Sequence, residues 1–175
     1  AFSVAEGTDA VATLTGSDAD GDSLSFSTTL AGADAADFAL TAGGVLTFAA
    51  TPNFESPADA DTNNVYSIIA TITDGTFTTS QDITVTVTDI NDNSPVLSVS
   101  SPYTVAEGAT SVGALSATDA DTSSTITYTL SGTDAADFTL SSSGALAFAS
   151  APDFEAPADA DTDNSYSLSV TASDG

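Results

Sequence analysis

The chain has 175 residues, of which 25 are Asp or Glu, and its formal charge is −25 because Lys, Arg and His are all absent. Cys, Met and Trp are absent too. This composition excludes nucleic acid and anionic membrane surfaces as ligands, since both are bound through Lys and Arg. It also excludes catalysis by His, Cys or Lys and zinc sites built from Cys and His. Each carboxylate must therefore be balanced by water, by backbone N–H groups or by a cation from solution.

The apolar content favours a folded chain without membrane insertion. Hydrophobic residues make up 41% of the sequence and the mean hydropathy is +0.14. Disordered chains combine high charge with low hydrophobicity, which is not the case here. No apolar run reaches the length of about 18 residues that a membrane-spanning helix needs. Residues 1–10 lack the basic start of a signal peptide, so we expect the interior of a longer, exported protein.

The sequence repeats itself with a period of about 100 residues, the size of a small all-β domain. VAEGT at residues 4–8 returns as VAEGAT at residues 105–110. TPNFESPADADTNN at residues 51–64 returns as APDFEAPADADTDN at residues 151–164. This period is too long for a solenoid repeat. We therefore predict two tandem domains, residues 1–94 and residues 95–175.

The elements predicted along each repeat are strands, with one short helical turn at the Ala-Ala pairs of residues 35–36 and 135–136. Ile83, Val85 and Val87 alternate strictly with Thr, a pattern typical of a half-buried strand. Residues 38–48 predict a hairpin around Gly43 and Gly44. About seven strands per repeat are predicted, in chain order near residue 4 and at residues 11–14, 24–26, 38–40, 45–48, 66–73 and 83–88.

The second repeat stops early relative to the first. Gly175 aligns with Gly75, and repeat 1 continues from there with a whole strand at residues 77–88. We therefore expect the second domain to lack its last strand in this sequence. Two explanations stay open, namely a fragment of a longer array of repeats or a strand supplied by another chain.

The carboxylates cluster in five short motifs, V-A-E, D-A-D, P-[ND]-F-E, D-I-N-D-N and [ST]-D-G, each at the end of a strand or beyond it. Like charges held this close repel one another in partly desolvated sites. Groups of hard oxygen ligands suit Ca²⁺, whose shell takes six to eight of them. The clustering therefore predicts calcium sites.

DINDNSP at residues 89–95 resembles the D-x-N-D-N-x-P linker of the cadherin repeat family, and the other motifs follow the family's order over the whole chain. The resemblance extends in particular to the bacterial cadherin-like tandem repeats of large surface adhesins. It implies two seven-stranded Greek-key β-sandwiches of the cadherin/Ig-like type, with about two to three Ca²⁺ ions at the junction between the repeats. The ligands that it implies are Glu6, Glu55, Asp89, Asn91, Asp92, Asn93, Asp119, Asp121 and Asp174.

Further metal ligands are predicted outside this junction. Asn53 is neutral where the family has an Asp, which weakens one bridging position. Outer half-sites are predicted at Asp18, Asp20, Asp22, Asp74, Glu107, Asp153 and Glu155. Two Asp-rich loops resemble the front half of an EF-hand loop but lack its Gly and its last Glu. Their candidate ligands are Asp59, Asp61, Asn63, Asp159, Asp161 and Asp163, with a solvated acidic loop containing Asx turns as the alternative.

Other acidic residues are predicted to be structural. Asp34 and Asp134 precede the Ala-Ala turns and are expected to cap them.

The sequence thus predicts a non-catalytic, calcium-rigidified spacer or cell-adhesion module of an extracellular bacterial adhesin or surface protein. Its expected partners are neighbouring repeats and other copies of itself, with no nucleic acid and no membrane insertion. The alternative is a subunit of a self-assembling extracellular filament or matrix fibre, joined by strand donation and shared calcium. A two-carboxylate glycosidase is disfavoured, because a repeated motif accounts for every acidic pair.

Overall fold

The computed structural model describes residues 1–175, which form two compact units, Ala1–Ile90 (unit 1) and Asn91–Gly175 (unit 2). Both units are all-β, and unit 1 consists of two packed sheets, which confirms the predicted fold class. The boundary predicted after residue 94 lies a few residues further along the same linker and stays a prediction. No helix has the length and apolar character needed to cross a membrane.

Unit 1 contains seven strands in two sheets. Strand β7 lies inside the larger sheet, whose order is β1-β7-β6-β3, and it pairs in parallel with β1 and antiparallel with β6. The smaller sheet has the order β2-β5-β4 and is antiparallel. The strands are β1 (Phe2–Ala5), β2 (Ala10–Thr13), β3 (Ser25–Phe26), β4 (Phe38–Leu40), β5 (Val45–Phe48), β6 (Val65–Thr73) and β7 (Thr78–Thr88).

The alternation of apolar and polar residues in β6 and β7 determines which face of the larger sheet is buried. Ile83, Val85 and Val87 point inward and their Thr neighbours are more exposed, as the sequence predicts. Tyr66 is placed opposite Val85, and Ile68 opposite Ile83. Because every second residue of a strand lies on the same face, this register puts all the large side chains of both strands into one layer.

The core of unit 1 lies between its two sheets. Leu46 and Val85 are fully buried and come from opposite sheets. An aromatic group extends this core, since Tyr66 makes edge-to-face contacts with both Phe38 and Phe48, at ring-centroid distances of 5.5 and 5.3 Å. Such contacts contribute about 0.5–1.5 kcal/mol per pair beyond the burial of area. The buried apolar residues of unit 1 are Val4, Phe38, Leu40, Leu46, Phe48, Tyr66, Ile68, Ala70, Ile83, Val85 and Val87.

Unit 2 also has seven strands, but they form a different set. Strand β13 lies between β12 and β9, which reproduces the smaller sheet of unit 1. The other four strands form two separate pairs, β11 with β14 and β8 with β10. The strands are β8 (Val96–Ser98), β9 (Ser111–Ala114), β10 (Ser116–Thr118), β11 (Thr127–Ser131), β12 (Phe138–Leu140), β13 (Ala145–Phe148) and β14 (Ser169–Ser173).

Unit 2 contains no counterpart of β7 or of its parallel partner β1. As a result β14 pairs only with β11, over five residues, whereas β6 pairs along its whole length. Residues 165–168, which align with the start of β6, are not in a strand. The large apolar side chains there are less buried, and an open groove of about 830 Å³ runs along them. The groove is lined by residues that include Leu97, Tyr103, Leu115, Phe138, Leu146 and Tyr166.

The short helical turns predicted at the Ala-Ala pairs are 3₁₀ turns, Ala35–Asp37 and Ala135–Asp137. The capping role predicted for Asp34 and Asp134 is wrong, because neither side chain makes a capping hydrogen bond at its turn. Both carboxylates are buried and instead accept hydrogen bonds from more distant backbone N–H groups. Burial of a carboxylate requires such donors, and two main-chain N–H groups supply them here.

Candidate metal centre

Unit 1 brings Glu6, Glu55 and Asp89 together, with one carboxylate oxygen of each within 4.8 Å of the others. Two of them are placed by the sheet. Glu6 follows β1 and Asp89 follows β7, and the parallel pairing of Ala5 with Thr88 makes these two strands end side by side. The third ligand, Glu55, comes from the P-N-F-E loop between β5 and β6.

Backbone N–H groups hold both carboxylate oxygens of Glu6, the buried member of this cluster. Only 3% of its surface is exposed. The N–H of Phe54 donates to Oε2 at 2.7 Å, and the N–H of Ile90 donates to Oε1 at 2.9 Å. These donors lie next to Glu55 and Asp89 in the sequence. Glu6 therefore fixes the two backbone segments that carry the other two carboxylates.

Unit 2 brings Asp119, Asp121 and Asp174 together in a second cluster of the same size. Asp119 follows β10 and Asp174 follows β14, so strand ends again supply the carboxylates. Asp121 is buried, and its N–H donates to Oδ1 of Asp119 at 3.0 Å. The D-A-D motif thereby turns both of its carboxylates to one side.

Two linker amides lie among these carboxylates. Asn93 donates to Asp121 twice, through its backbone N–H to Oδ2 at 2.9 Å and through Nδ2 to Oδ1 at 2.8 Å. With its amide nitrogen facing the acids, Asn91 donates to Asp121 at 3.0 Å and to Asp174 at 3.2 Å. Asp92 is exposed and accepts from Nδ2 of Asn93. Neutral N–H dipoles thus compensate the acids of a chain without cationic side chains.

The donor sets of both clusters fit Ca²⁺. The atoms that each cluster brings together are carboxylate oxygens, which are hard ligands of the kind that this ion prefers. Oδ2 of Asp119 is buried and has no hydrogen-bond partner, although a buried polar atom is costly unless something compensates it. Negative charges this close together repel one another, and a divalent cation would offset their repulsion.

Glu107, Asp153 and Glu155 form a third group within 4.8 Å, but all three are exposed. They are the sequence counterparts of Glu6, Asn53 and Glu55. Unit 2 has no strand equivalent to β7, so no residue equivalent to Asp89 joins them. Because water screens exposed charges, this group is weakly pre-organised compared with the first cluster.

The remaining predicted outer ligands do not converge on one point. Asp18 accepts the N–H groups of Asp20 and Asp22 at 2.8 and 3.2 Å, which folds the loop on itself. Asp74 accepts two N–H groups after the end of β6, and these donors hold its pKa below the ordinary value. Oδ1 of Asn53 accepts from Ser56 at 2.7 Å. These residues stay predicted ligands that loop geometry alone does not bring together.

The Asp-rich loops have the same internal structure in both units. Oδ2 of Asp59 accepts the N–H of Asn63 at 2.8 Å, and its Oδ1 accepts the N–H of Asn64. Burial opposes ionisation of Asp59, but these donors outweigh it and its pKa lies below the ordinary value. The hydrogen bond to Asp59 has the opposite effect on Asp61 and raises its pKa. In unit 2, one oxygen of each of Asp159, Asp161 and Asp163 lies within 4.8 Å of the others.

Two groups of contacts escaped the sequence analysis. Asp34 and Asp134 each anchor an Asp-rich loop, through the N–H groups of Ala60 and Ala160 at 2.8 and 2.9 Å. Asn64 and its counterpart Asn164 each donate to a backbone carbonyl of the preceding P-[ND]-F-E loop. Recurrence of both Asn residues at equivalent positions is the sequence signal for them.

The chain is similar to known proteins both in sequence and in fold. The chain is 37% identical to human protocadherin Fat 1 in an alignment of 129 residues that covers 69% of this chain. It also superposes on Drosophila N-cadherin repeats EC1–4 with a TM-score of 0.69 and 27% identity, over 98% of this chain and 42% of that one. The chain belongs to the cadherin repeat family. Among cadherins of known structure, human protocadherin-24 EC1–2 gives a TM-score of 0.69 at 18% identity, over 97% of this chain and 88% of that one.

These comparisons confirm the predicted cadherin repeats and leave the source open. The matched region is 3% of the length of protocadherin Fat 1, so the activity and partners of that whole protein are not transferred. No protein-family model matches the chain. The predicted bacterial branch of the family stays a prediction.

Proposed function

We propose that this pair of cadherin repeats is a non-catalytic, calcium-binding spacer or adhesion module of an extracellular surface protein. The observation that carries the proposal is the convergence of Glu6, Glu55 and Asp89 at the paired ends of β1 and β7. A chain with 25 acidic and no basic residues gains its counter-charge from solution. Two to three Ca²⁺ ions per junction would supply part of this counter-charge, with carboxylates as their ligands.

The proposed mechanical role depends on the order of the ligands along the chain. Asp89 closes the first cluster and Asn91 opens the ligand set of the second, with only Ile90 between them. Ions bound on either side of Ile90 would restrict the backbone torsions of this linker. Binding would also stabilise the folded units by mass action, since the unfolded chain has no assembled ligand set. A stiffened array of such repeats could project a binding domain from a cell, and a bacterial adhesin is the parent protein that we propose.

The test combines calorimetry with small-angle scattering on the whole chain. Titration with Ca²⁺ should give saturable binding, and the Glu55→Gln and Asp119→Asn variants should each weaken it. Chelation of calcium should change the maximum dimension and broaden the distribution of interatomic distances. Exposed Asp82→Asn is the matched control, because it removes the same charge from β7 at a point about 23 Å along the extended strand from Asp89. Equal calcium binding by all variants, or a scattering curve that does not change when calcium is chelated, would refute the proposal.

A second candidate function, a filament or matrix subunit, is favoured by the groove of unit 2. In unit 1 the equivalent face is covered by β7, which supplies Ile83, Val85 and Val87. We propose as occupant an extended strand of the β7 pattern, donated by a neighbouring copy in the manner of β-augmentation. Shared calcium at the exposed Glu107, Asp153 and Glu155 would support the same assembly.

Strand donation is tested with a synthetic peptide of residues 78–88. The peptide should bind the chain, and it should protect the amides of Ser169–Ser173 from hydrogen exchange. A peptide with Val85→Asp keeps the length and the polar face but loses the central apolar contact, and it should not bind. Equal binding of both peptides, or no binding at all, would eliminate this candidate.

A further inference from the structure

The Asp-rich loop of unit 1, residues 59–64, is held at both ends by buried carboxylates. Asp59 turns the loop by accepting the N–H groups of Asn63 and Asn64 at 2.8 and 3.2 Å. Asp34 accepts the N–H of Ala60 at 2.8 Å and that of Ser67 at 2.6 Å, which ties the loop to the start of β6. Both carboxylates are more than nine-tenths buried. The loop is therefore a fixed part of the fold.

Asn64 ends the loop in a conformation that suits its residue type. Its φ is 65°, in the left-handed region that Asn tolerates better than most residues. This backbone turn directs the side chain back towards the P-N-F-E loop, where Nδ2 donates to the carbonyl of Phe54 at 2.8 Å. Its own carbonyl accepts the N–H of Val87 in β7. Asn64 thus links the Asp-rich loop, the P-N-F-E loop and the central strand.

The hydrogen bonds continue from Asn64 to the first metal cluster. The carbonyl of Phe54 is held by Asn64, and its N–H is held by Glu6 at 2.7 Å. Glu55 is the next residue. Because both sides of Phe54 are fixed, the direction in which the chain enters Glu55 is fixed as well. The Glu55 carboxylate then meets Glu6 and Asp89 within 4.8 Å.

Unit 2 has the same hydrogen bonds within its Asp-rich loop, but they do not continue to a buried acidic cluster. Asp159 accepts the N–H of Asp163 at 2.8 Å, and Asn164, with φ 65°, donates to the carbonyl of Phe154 at 3.1 Å. No hydrogen bond joins Phe154 to Glu107, although Phe54 and Glu6 are joined at the equivalent place. Asn164 therefore provides an internal control with the same local bond and no continuation to a buried cluster.

We infer that Asn64 is a positioning residue for the metal cluster and that residues 59–64 act as a clamp that orients Glu55 for cation binding. The inference rests on the proposed function, because it concerns the same calcium site. The Asp-rich loop of unit 1 would then act by orienting Glu55, and this role does not depend on a calcium ion bound in the loop itself. Residues that orient metal ligands through hydrogen bonds change metal affinity by about 10–100-fold when they are removed.

The decisive variant is Asn64→Gly in the whole chain, since Gly accepts the positive φ and lacks only the side-chain amide. Calcium titration is followed by NMR through the backbone amides of Phe54 and Ile90, which donate to the two carboxylate oxygens of Glu6. We expect an affinity about tenfold weaker than that of the wild type. The bound state should also contain an additional coordinated water, measured by the luminescence lifetime of Tb³⁺.

Asn164→Gly is the matched control, and it should leave the Phe54 and Ile90 titration unchanged. Asn64→Asp is the second variant in case Asn64→Gly does not fold; it keeps the shape of the side chain but replaces the donor with an acceptor. Wild-type affinity and Tb³⁺ lifetime in a folded Asn64 variant would overturn the inference while the proposed function stands. Absence of any calcium response at Phe54 and Ile90 in the wild type would overturn both.

Discussion

The two units carry the same series of motifs, but they differ in how completely the aromatic core is buried. Tyr66 has 1% of its surface exposed, whereas its counterpart Tyr166 is only partly buried. The contacts within the aromatic group are the same, with ring-centroid distances to Phe48 and Phe148 of 5.3 and 4.9 Å. What differs is the strand that covers the group, since β7 is present in unit 1 and has no equivalent in unit 2.

This difference shows which features the repeated motifs determine locally and which depend on a distant strand. The hairpins, the 3₁₀ turns and the Asp-rich loops are reproduced in both units. Unit 2 does not reproduce the buried larger sheet of unit 1, and the unit 2 counterpart of the first acidic cluster is exposed. Glu6 is buried beside Asp89, while its counterpart Glu107 is exposed. Strand β7 thus contributes side chains to the core and positions the predicted metal ligand that follows it, Asp89.

The largest effect is expected from giving unit 2 a strand of the β7 type. A copy of residues 76–88 joined after Gly175 places Ile, Val and Val side chains against the open groove. Each such side chain, when fully buried, contributes about 1.5–3 kcal/mol. Unit 2 should then unfold at a higher denaturant concentration, and amides 165–173 should become protected from hydrogen exchange. If those amides gained no protection, the contrast between the units would have another cause.

Matched truncations next to β7 should differ between the units. Ile68 in β6 has 1% of its surface exposed and faces Ile83, so Ile68→Ala should destabilise unit 1 by about 2–5 kcal/mol. Leu168→Ala should cost clearly less, because its side chain is only partly buried. Chemical denaturation with unit-specific NMR signals measures both values.

Truncations away from β7 provide the control for this pair. Leu46 and Leu146 lie in the smaller sheet, where both units have the same strands, and both side chains are buried. Leu46→Ala and Leu146→Ala should therefore destabilise their units by similar amounts. A large difference between these two variants would show that unit 2 is loosely packed throughout, and the comparison would no longer isolate the effect of β7.

The acidic counterparts Glu6 and Glu107 should respond differently to neutralisation. Glu6→Gln turns an amide donor towards one of two buried N–H groups, which should cost about 1–3 kcal/mol without calcium. It should also reduce the calcium-dependent stabilisation, which is about 2.7 kcal/mol at an ion concentration a hundred times Kd. Glu107→Gln should change the stability of the calcium-free chain by less than about 0.5 kcal/mol, as exposed sites usually do. Thermal unfolding with and without calcium distinguishes the two, and equal responses would contradict the burial argument.

The sequence predicted those parts of this picture that follow from local patterns. Alternation in Ile83–Val87 identified β7, and the five acidic motifs contain the carboxylates that cluster in each unit. The pairing of β8 with β10 was not predicted, because three-residue strands carry little periodicity. The clamp by Asn64 was not predictable either, since its partner is the backbone carbonyl of Phe54, which has no sequence signature. Contacts that join side chains to distant main-chain groups become visible only in the fold.

The smallest effect concerns the pH dependence of the Asp-rich loop. The pKa of Asp59 is lowered in the folded chain, so Asp59 stabilises unit 1 at neutral pH, and this contribution is lost as the pH falls through its folded pKa. Asp59→Asn should cost about 1–2 kcal/mol at pH 7, because a charged acceptor of two N–H groups is replaced by a neutral one. The difference from the wild type should shrink as the pH falls below 3.8, the ordinary pKa of an Asp side chain.

Asp61 provides the opposite sign within the same loop. Its pKa is raised by the hydrogen bond to Asp59, so ionised Asp61 opposes folding, and protonation at low pH removes that opposition. Asp61→Asn should therefore stabilise unit 1 slightly at pH 7, and this gain should disappear in acid. Urea unfolding across pH 2–7 measures both variants. Destabilisation of unit 1 by Asp61→Asn at neutral pH would contradict the opposite roles assigned to these two carboxylates.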